Sequence, residues 1–373
     1  MKNAKTLVID EVEYNTQNPL IIAELGTSHG GDLSKAKEMI AAAAEAGASC
    51  IKLQMVYADE ILHPNTGEVA LPGGTIRLYN RFKELEMPSE FYAEIKEFIE
   101  SWGVLFLCTP FGMKSAGILQ GLEPKVVKIA SPELNYSSLL HEVAYWEMPV
   151  LLSCGVSTLK DIEQAVEILR SSGSSISHCL LHCVTAYPAP ETEYNLRVLQ
   201  CLSAVFDIAV GVSDHSLDPE IVPVLAITQG AVVIEKHFCL SRNDPGLDDL
   251  IDLPPDQFAR MTSAIHHAAA ADPDETIKNM IQERGAKTIK TVLGNGVKDL
   301  APSERDNYMR TNRSIHALRD IQAGQVITSE DVAVLRTERN LRPGLAPSLV
   351  PKVCGRTAKQ FIPAGEGIRL EDV

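Results

Sequence analysis

The sequence predicts an α/β protein in which a closed (β/α)8 barrel, the TIM-barrel fold, is followed by a small C-terminal domain. Short apolar runs recur eight times between residues 20 and 237, and segments with helical spacing separate them. Eight alternating units of this kind fit a closed barrel better than an open sheet. The end of the chain instead contains an internal repeat, which predicts a separate small domain.

The eight apolar runs are short and rich in β-branched residues, as buried strands are. Their near-continuous apolar character predicts parallel strands that are covered on both faces. The runs are LIIAE (20–24), SCIKLQ (49–54), VLFLC (104–108), KVVKI (125–129), PVLLS (149–153), CLLHC (179–183), IAVGVS (208–213) and VVIEKH (232–237).

The segments between the runs predict the covering helices. Several begin with Ser, Thr or Asp, which cap helix N-termini, and close on Gly, which ends helices. The clearest segments span residues 34–47, 89–103, 158–173 and 218–230.

The C-terminal repeat consists of DIQAGQVITSEDV (320–332) and FIPAGEGIRLEDV (361–373), which share the pattern x-I-x-A-G-x-x-I-x-x-E-D-V. Ala-Gly turn chemistry between short apolar pieces predicts a compact, pseudo-symmetric fold of short strands and turns. The polar stretch at 294–312 predicts a linker between the two domains. We therefore predict a barrel domain over residues 1–290, a linker over 291–312 and a C-terminal domain over 313–373.

Composition and charge limit the classes of partner. The formal net charge is −15 and the pI is near 5.2, so the average surface would repel nucleic acid and anionic membranes. The sequence has neither a signal-peptide pattern at its N-terminus nor a run of about eighteen apolar residues. Its eight cysteines are scattered, with no CxxC pair. We expect a cytoplasmic protein with reduced, buried cysteines, in which an anionic substrate would need a local basic pocket.

Polar side chains close almost every predicted strand. In a TIM barrel the active site lies at the C-terminal ends of the strands, so the residues that end each run are the candidates. One such ending would be ordinary, but the whole series predicts a site. In chain order the candidates are Glu24, Lys52, Gln54, Thr109, Lys128, Ser131, Glu133, Ser153, Tyr187, Ser213, His215, Glu235 and His237.

Two histidines suggest a metal site. His215 and His237 follow the seventh and eighth strands, and neighbouring strands lie about 4.8 Å apart, so two imidazoles there could share one divalent ion. Such a site leaves positions open for water and substrate. The alternative is two polar histidines satisfied by protein neighbours. Alternation places Glu235 on the same side as His237 and Lys236 on the other.

Two lysines suggest an anion site. Lys52 and Lys128, with hydroxyl groups at four strand ends, could bind a phosphate or carboxylate. The alternative is that Glu24, Glu133 and Glu235 pair with the lysines, and both arrangements could hold at once. The hydroxyl groups belong to Thr109, Ser131, Ser153 and Ser213. His29, in the loop after the first strand, is a second-rank candidate.

Several collinear stretches resemble the sialic acid synthase family, which also contains the spore coat polysaccharide synthases. They are IIAELGTSHGGDLSKAKEMIAAAAEAGASCIKLQ, KIASPELN, LLHCVTAYPAP, GVSDHS and IEKHF. The C-terminal repeat resembles the antifreeze-like (SAF) domain that ends those enzymes. Together these stretches cover nearly the whole chain, which makes the resemblance more specific than any single motif.

The resemblance implies the condensation of phosphoenolpyruvate with an open-chain amino-sugar aldehyde of the N-acetylmannosamine type. The products would be a nine-carbon 2-keto acid of the nonulosonic type and phosphate, and the cofactor would be a divalent metal, Mn²⁺ or Mg²⁺. By motif position, His215 and His237 match the metal-binding histidines. The phosphoenolpyruvate pocket would contain Lys52, Thr109, Lys128, Ser131, Ser153 and Ser213, and the sugar side Glu24, Gln54, Glu133, Tyr187 and Asp248, with Glu24 or Glu133 as acid or base.

The resemblance also implies a domain-swapped homodimer in which an arginine of the C-terminal domain reaches the partner's sugar pocket. The sequence offers Arg336, Arg339 and Arg342 for this role, and we favour Arg336, which directly follows the shared VL. The chain departs from the usual family pattern at TSHGG (27–31) and at Thr185, and both positions border the substrates.

Two other functions are compatible with a barrel. One is a different phosphoenolpyruvate-dependent aldol enzyme that makes a seven- or eight-carbon phosphorylated sugar acid, and the C-terminal repeat argues against it. The other is a non-catalytic carbohydrate-binding protein, which would be expected to lack the histidine pair or the lysines; both are present.

Overall fold

The computed structural model of the chain describes residues 5–71, 74–171, 176–244 and 246–373. Its main body is an eight-stranded parallel barrel, and every predicted strand is confirmed. The strands are β1 (Leu20–Gly26), β2 (Cys50–Met55), β3 (Leu105–Pro110), β4 (Val127–Ile129), β5 (Val150–Ser153), β6 (Cys179–Cys183), β7 (Ala209–Asp214) and β8 (Val233–His237).

The strands form a nearly closed ring. Hydrogen bonds run from β3 through β2, β1, β8, β7, β6 and β5 to β4, and β3 lies beside β4. The end of the helix predicted at 158–173 lies outside the described residues. The helices that cover the strands are Leu33–Glu45, Ser89–Ser101, Met113–Gly121, Ser137–Ala144, Leu159–Ser171, Val198–Phe206, Ile221–Thr228 and Pro255–Ala270.

Alternation along the strands separates two cores. Leu20 and Ile22 of β1 point into the barrel, where they pack with Leu7 and Ile9 of an N-terminal hairpin (Leu7–Ile9 and Val12–Tyr14). This hairpin closes one end of the barrel interior. Residues of the opposite parity pack against the helices. The interior apolar set continues, two residues at a time, into the predicted site residues at the strand ends.

Shorter elements extend the barrel. Between β2 and the helix Ser89–Ser101 lie two short helices and an antiparallel pair of strands: Ala58–Ile61, Leu78–Glu84, Glu68–Leu71 and Gly74–Arg77. The helices Pro273–Arg284 and Ala286–Leu293 follow the last barrel helix. Within the described residues, no helix is both long enough and apolar enough to cross a membrane. The eight cysteines are free, and six of them are buried.

The C-terminal domain has the predicted short strands and turns. Strand β9 (Arg313–Ala317) pairs antiparallel with β10 (Val332–Arg336), and a short helix spans Val350–Val353. The two repeats pack against each other, because Ile321 of the first bridges Ile362 of the second. The shared Gly of each repeat has positive φ, +84° and +92°, as the Ala-Gly turn requires.

Equivalent aspartates stabilise the two repeats. Asp331 accepts hydrogen bonds from the backbone and the hydroxyl group of Thr328, each at 2.7 Å. Asp372 accepts one from the backbone of Arg369, also at 2.7 Å. The hydrogen bonds from Thr328 hold the pKa of Asp331 below its ordinary value of 3.8.

We expect Asp331→Ala to lower the free energy of unfolding by about 1–3 kcal/mol, because two donors of Thr328 lose their buried acceptor. Since the folded-state pKa is lowered, this stabilisation is present above the ordinary pKa and is lost as the pH falls below it. The difference in the free energy of unfolding between Asp331→Ala and the wild type, measured by urea unfolding, should be larger at pH 7 than at pH 3. The neighbouring exposed Glu330→Ala serves as the control. Equal stability of Asp331→Ala and wild type at pH 7 would contradict this role.

Candidate functional site

One cavity of about 300 Å³ opens at the C-terminal ends of the barrel strands. Most of the predicted site residues line it together, although they are far apart in the sequence. Glu24 and Glu133 are buried behind the wall, where they contact lining residues, and Thr109 lies opposite Gln54 in the strand register. The predicted residues that line the cavity are Lys52, Gln54, Lys128, Ser131, Ser153, Tyr187, Ser213, His215, Glu235, His237, Asp248 and Arg336.

The two lysines lie on one side of the cavity and are paired with carboxylates. Lys52 Nζ is 2.7 Å from Glu24 Oε2 and 3.1 Å from Glu235 Oε1, and Lys128 Nζ is 3.3 Å from Glu235 Oε1. Burial alone would raise the pKa of Glu235, but Lys128 and Lys52 outweigh it and hold this pKa well below its ordinary value. The internal pairing that the sequence left open is therefore present, and the lysines also face the cavity.

Hydroxyl groups surround the lysines. Ser213 donates to Glu235 Oε1 at 2.8 Å, and Ser131 Oγ accepts from the Gly155 backbone at 3.0 Å. Within the described part of the chain, Ser153 Oγ and Thr109 Oγ1 are buried without a hydrogen-bond partner. Buried polar atoms are normally satisfied, so an unpartnered hydroxyl at the cavity wall indicates a place for a ligand atom.

The two histidines face each other on the other side of the cavity. Their ring centroids are 5.4 Å apart. His215 Nδ1 lies 3.0 Å from the Val184 carbonyl oxygen, which can only accept, so Nδ1 carries the proton and Nε2 presents a lone pair. His237 Nδ1 lies 3.3 Å from Asp252 Oδ1, so in the neutral form of this ring the proton is on Nδ1 and Nε2 presents the lone pair.

Burial and the neighbouring carboxylates act differently on the two rings. Burial lowers the pKa of His215 well below its ordinary value. Burial would also lower the pKa of His237, but Asp252 outweighs it and raises this pKa to about 9. Asp252 is fully buried beside this ring. A carboxylate that fixes a histidine tautomer is the usual support of a metal-binding histidine.

The donor set fits a divalent ion held by two imidazoles. Both Nε2 atoms can serve as ligands, although an ion would have to displace the Nε2 proton that the raised pKa leaves on His237 near neutral pH. The cavity leaves room for water and substrate at the remaining positions. Among the described residues, no group of three or more His, Cys, Asp or Glu side chains is arranged to hold a metal. A bound ion would therefore depend on both histidines and on ligands from outside the protein.

Of the residues that the resemblance assigns to the sugar, Tyr187 and Asp248 lie beside the histidines. The Tyr187 ring stacks on His215, with centroids 4.3 Å apart, and its hydroxyl group lies 3.4 Å from His215 Nε2. Gln54 donates to Glu24 Oε1 at 2.7 Å. Asp248 lies 4.0 Å from His237 Nδ1, and withdrawal from water inside the cavity raises the pKa of Asp248 to about 6.

Glu133 joins the barrel to the C-terminal domain. Its Oε1 lies 2.7 Å from Arg336 Nη2 and 2.8 Å from Arg313 Nη2. Arg313 is almost completely buried and also donates to the Phe111 carbonyl oxygen at 2.6 Å. These contacts lie within one chain, whereas the resemblance implies that the arginine comes from a partner. The domain exchange therefore stays a prediction.

Sequence reasoning missed several residues of the site. Of these, Arg313 could have been noticed in the sequence, because it is the first residue of the predicted C-terminal domain. Asp252 and Glu338, which lines the cavity, lie in loops without a pattern. An apolar wall was also missed, consisting of Val56, Ile61, Leu78, Phe82 and Phe111. His29 packs against Phe91, at a centroid distance of 5.0 Å, instead of facing the cavity.

Comparison with known proteins gives consistent matches over both domains. The NeuB family matches residues 39–277, and the SAF domain matches residues 312–373. The N,N'-diacetyllegionaminic acid synthase of Legionella pneumophila is 33% identical over 95% of this chain and 94% of its own.

Solved structures agree with these sequence matches. The spore coat polysaccharide biosynthesis protein SpsE of Bacillus subtilis superposes with a TM-score of 0.82 at 32% identity, over 99% of both chains. The N-acetylneuraminic acid synthetase of Leptospira borgpetersenii, solved in complex with citrate, gives a TM-score of 0.65 at 31% identity. That match covers 77% of this chain and 99% of the other.

Proposed function

The chain belongs to the NeuB family and ends in a SAF domain, and from this premise we propose that it is a nonulosonic acid synthase. The reaction would condense phosphoenolpyruvate with an open-chain N-acetylmannosamine-type amino sugar to a nine-carbon 2-keto acid and phosphate. The observation that carries the proposal is one cavity that combines two lysines and the unpartnered hydroxyl group of Ser153 with a pair of histidines. An anion and an aldehyde could be held side by side in it.

The lysine side would bind phosphoenolpyruvate. Lys52 and Lys128 offer ammonium groups to its phosphate and carboxylate, and Ser153 offers a hydroxyl group that has no described protein partner. Because Glu24 and Glu235 already pair with the lysines, the basic side chains are held in place before the anion arrives. Such preorganisation reduces the cost of ordering them during binding.

The histidine side would hold the acceptor. His215 and His237 would bind a divalent cation, Mn²⁺ or Mg²⁺, which supplies Lewis-acid polarisation of the aldehyde oxygen when it is bound. Asp252 fixes the proton of His237 on Nδ1, so that Nε2 stays available. Tyr187 covers His215 and narrows the space in which the acceptor can turn.

The chemistry forms one carbon–carbon bond and moves two protons from the added water, one to the aldehyde oxygen and one to the departing phosphate. Carbon 3 of phosphoenolpyruvate attacks the aldehyde carbon, water adds at carbon 2, and the resulting tetrahedral centre releases phosphate to leave the keto group. We assign the proton transfer to the aldehyde oxygen to Glu24, which contacts both Lys52 and Gln54 at the cavity wall. Glu133 is held by two arginines and positions them at the sugar side.

The outer cavity favours an unphosphorylated acceptor. Asp248 and Glu338 both line it, and of the two arginines that also line it, Arg336 and Arg339, the first is already paired with Glu133. The two carboxylates would therefore oppose the binding of a sugar phosphate. The apolar wall offers contacts to the methyl groups of acyl substituents or of a deoxygenated carbon. These features support an N-acylated, neutral amino sugar as the acceptor.

A domain-swapped homodimer is part of the proposal, as is a cytoplasmic location. Coexpression of two inactive chains tests the exchange: one carries His237→Ala, and the other carries Arg313→Ala with Arg336→Ala. If the C-terminal domain serves the partner's barrel, mixed dimers regain activity at one of their two sites. No recovery in purified mixed dimers would show that each domain serves its own barrel.

Phosphate release tests the function. Purified protein is incubated with phosphoenolpyruvate, Mn²⁺ and a panel of acceptors that includes N-acetylmannosamine, its 6-phosphate and diacetamido-trideoxyhexoses. We expect release with a neutral amino sugar and none without an acceptor. Absence of release with every acceptor, with metal present, would contradict the proposed function.

A further inference from the structure

Glu304 is a buried carboxylate outside the site described above. It lies in the segment that joins the barrel to the C-terminal domain, residues 294–312, which we call the joining segment. Only 1% of the surface of Glu304 is exposed. Its described partners are three backbone N–H groups. Oε1 accepts from Thr185 at 2.7 Å and from Val156 at 2.8 Å, and Oε2 accepts from Ala301 at 3.1 Å. A buried charge requires such donors, so this side chain is committed to them.

The two loops held by Glu304 begin at neighbouring strand ends of the cavity. Val156 follows Ser153 at the end of β5, and Thr185 follows Cys183 at the end of β6. Ser153, Cys183 and Thr185 all line the cavity. The residue before Val156, Gly155, donates its N–H to Ser131 Oγ, so the first loop also fixes a second predicted phosphoenolpyruvate contact.

Val156 is held in a strained conformation by the joining segment. Its φ is +40°, which is rare for a β-branched residue and persists only when the surroundings enforce it. Glu304 accepts its N–H, and the side chain of Asn312 donates to its carbonyl oxygen at 3.1 Å. Both restraints come from residues that follow the barrel in the sequence.

We propose that Glu304 is a positioning residue for the phosphoenolpyruvate subsite. By holding the N–H groups of Val156 and Thr185, it places Ser131, Ser153 and Thr185 around the bound anion. The subsite is therefore complete only when the joining segment is docked on the barrel. This inference rests on the proposed function, since it assigns the lysine side of the cavity to phosphoenolpyruvate.

Three substitutions of Glu304 distinguish the effect of side-chain length from the effect of side-chain charge. Glu304→Gln keeps an oxygen at the Oε1 position and can retain both loop contacts, Glu304→Asp keeps the charge but is too short to reach both loops, and Glu304→Ala loses both. We expect Glu304→Ala to weaken phosphoenolpyruvate binding, measured by calorimetry, by about 10-fold or more. Glu304→Gln should retain the most affinity and Glu304→Asp less. The KM for the acceptor should change less than the phosphoenolpyruvate affinity.

Glu193→Ala is the matched control. Glu193 Oε2 accepts from the backbone of Ser303 at 3.0 Å and from its hydroxyl group at 2.7 Å. Glu193 therefore anchors the same segment from further along the connection after β6, through Ser303 and not through the N–H groups of Val156 and Thr185. Its loss should leave phosphoenolpyruvate affinity within about 2-fold, because the loop contacts remain. An equal loss of affinity in the Glu193 and Glu304 variants would overturn the proposal, because anchoring alone would then explain it.

Direct binding also separates this inference from the proposed function. Wild-type affinity in a folded Glu304→Ala protein would overturn the inference alone. Should the alanine variant not fold, wild-type affinity in Glu304→Asp would overturn it. A wild-type protein that binds no phosphoenolpyruvate would contradict the proposed function and this inference with it.

Discussion

Replacing His237 with alanine is expected to abolish metal-dependent turnover while the barrel stays folded. His237 supplies one of only two imidazoles that face the cavity among the described residues, so its removal leaves a single protein ligand. We expect Mn²⁺ affinity, measured by calorimetry or electron paramagnetic resonance, to fall by more than about 100-fold. That is the upper end of the loss typical of a supporting residue, and a direct ligand should exceed it.

Two further variants complete this test: one with a smaller expected loss of Mn²⁺ affinity, and a control with none. Asp252→Asn removes the carboxylate that fixes His237, so Mn²⁺ affinity should fall by about 10–100-fold, less than in His237→Ala. His182→Ala is the matched control, because His182 is a buried barrel histidine whose Nε2 lies 2.6 Å from the Tyr194 carbonyl oxygen. It should lose stability but keep Mn²⁺ affinity. Wild-type Mn²⁺ binding in His237→Ala would show that the metal site is elsewhere.

Replacing Lys128 with methionine is expected to weaken phosphoenolpyruvate binding. Lys128 is buried at the cavity wall, and burial lowers its pKa below the ordinary value. Methionine keeps the approximate length of the side chain but offers no charge to the anion. A lost hydrogen bond to a charged group corresponds to roughly a 10–100-fold loss of affinity, which calorimetry with phosphoenolpyruvate would detect.

Lys236→Met controls for the loss of any buried lysine. Lys236 is equally buried at the end of β8, but it points out of the barrel and pairs with Asp214 at 2.6 Å. We expect this variant to lose about 3–5 kcal/mol of stability, because Asp214 is left unpaired, and to keep its phosphoenolpyruvate affinity. Unchanged affinity in Lys128→Met, or an equal loss in both variants, would contradict the assigned anion site.

The barrel and the strand-end residues could be predicted from the sequence because both depend on short-range periodicity. Alternation with a period of two places Glu235 and His237 inside the barrel and Lys236 outside, and the structure confirms this. The internal repeat likewise predicted the pairing of similar units in the C-terminal domain. In both cases the deciding residues are close together in the chain or share an obvious pattern.

The remaining parts of the site depend on contacts that no local pattern encodes. Glu304 reaches Val156 across 148 residues, and Arg313 reaches Glu133 across 180. Asp252 lies in an irregular loop, and nothing in its neighbourhood identifies it as the partner of His237. The pairing of Lys52 with two carboxylates was one of two open alternatives, because spacing cannot distinguish an internal ion pair from a ligand contact.

The most direct test of the central claim is mass spectrometry of the product formed from phosphoenolpyruvate labelled with ¹³C at carbon 2. We predict a 2-keto acid whose mass equals that of the acceptor plus phosphoenolpyruvate and water minus phosphoric acid, with the label in the keto carbon. It should form only when a neutral amino sugar and a divalent metal are present. Recovery of unlabelled acceptor alone, after incubation with metal and every acceptor of the panel, would contradict the claim.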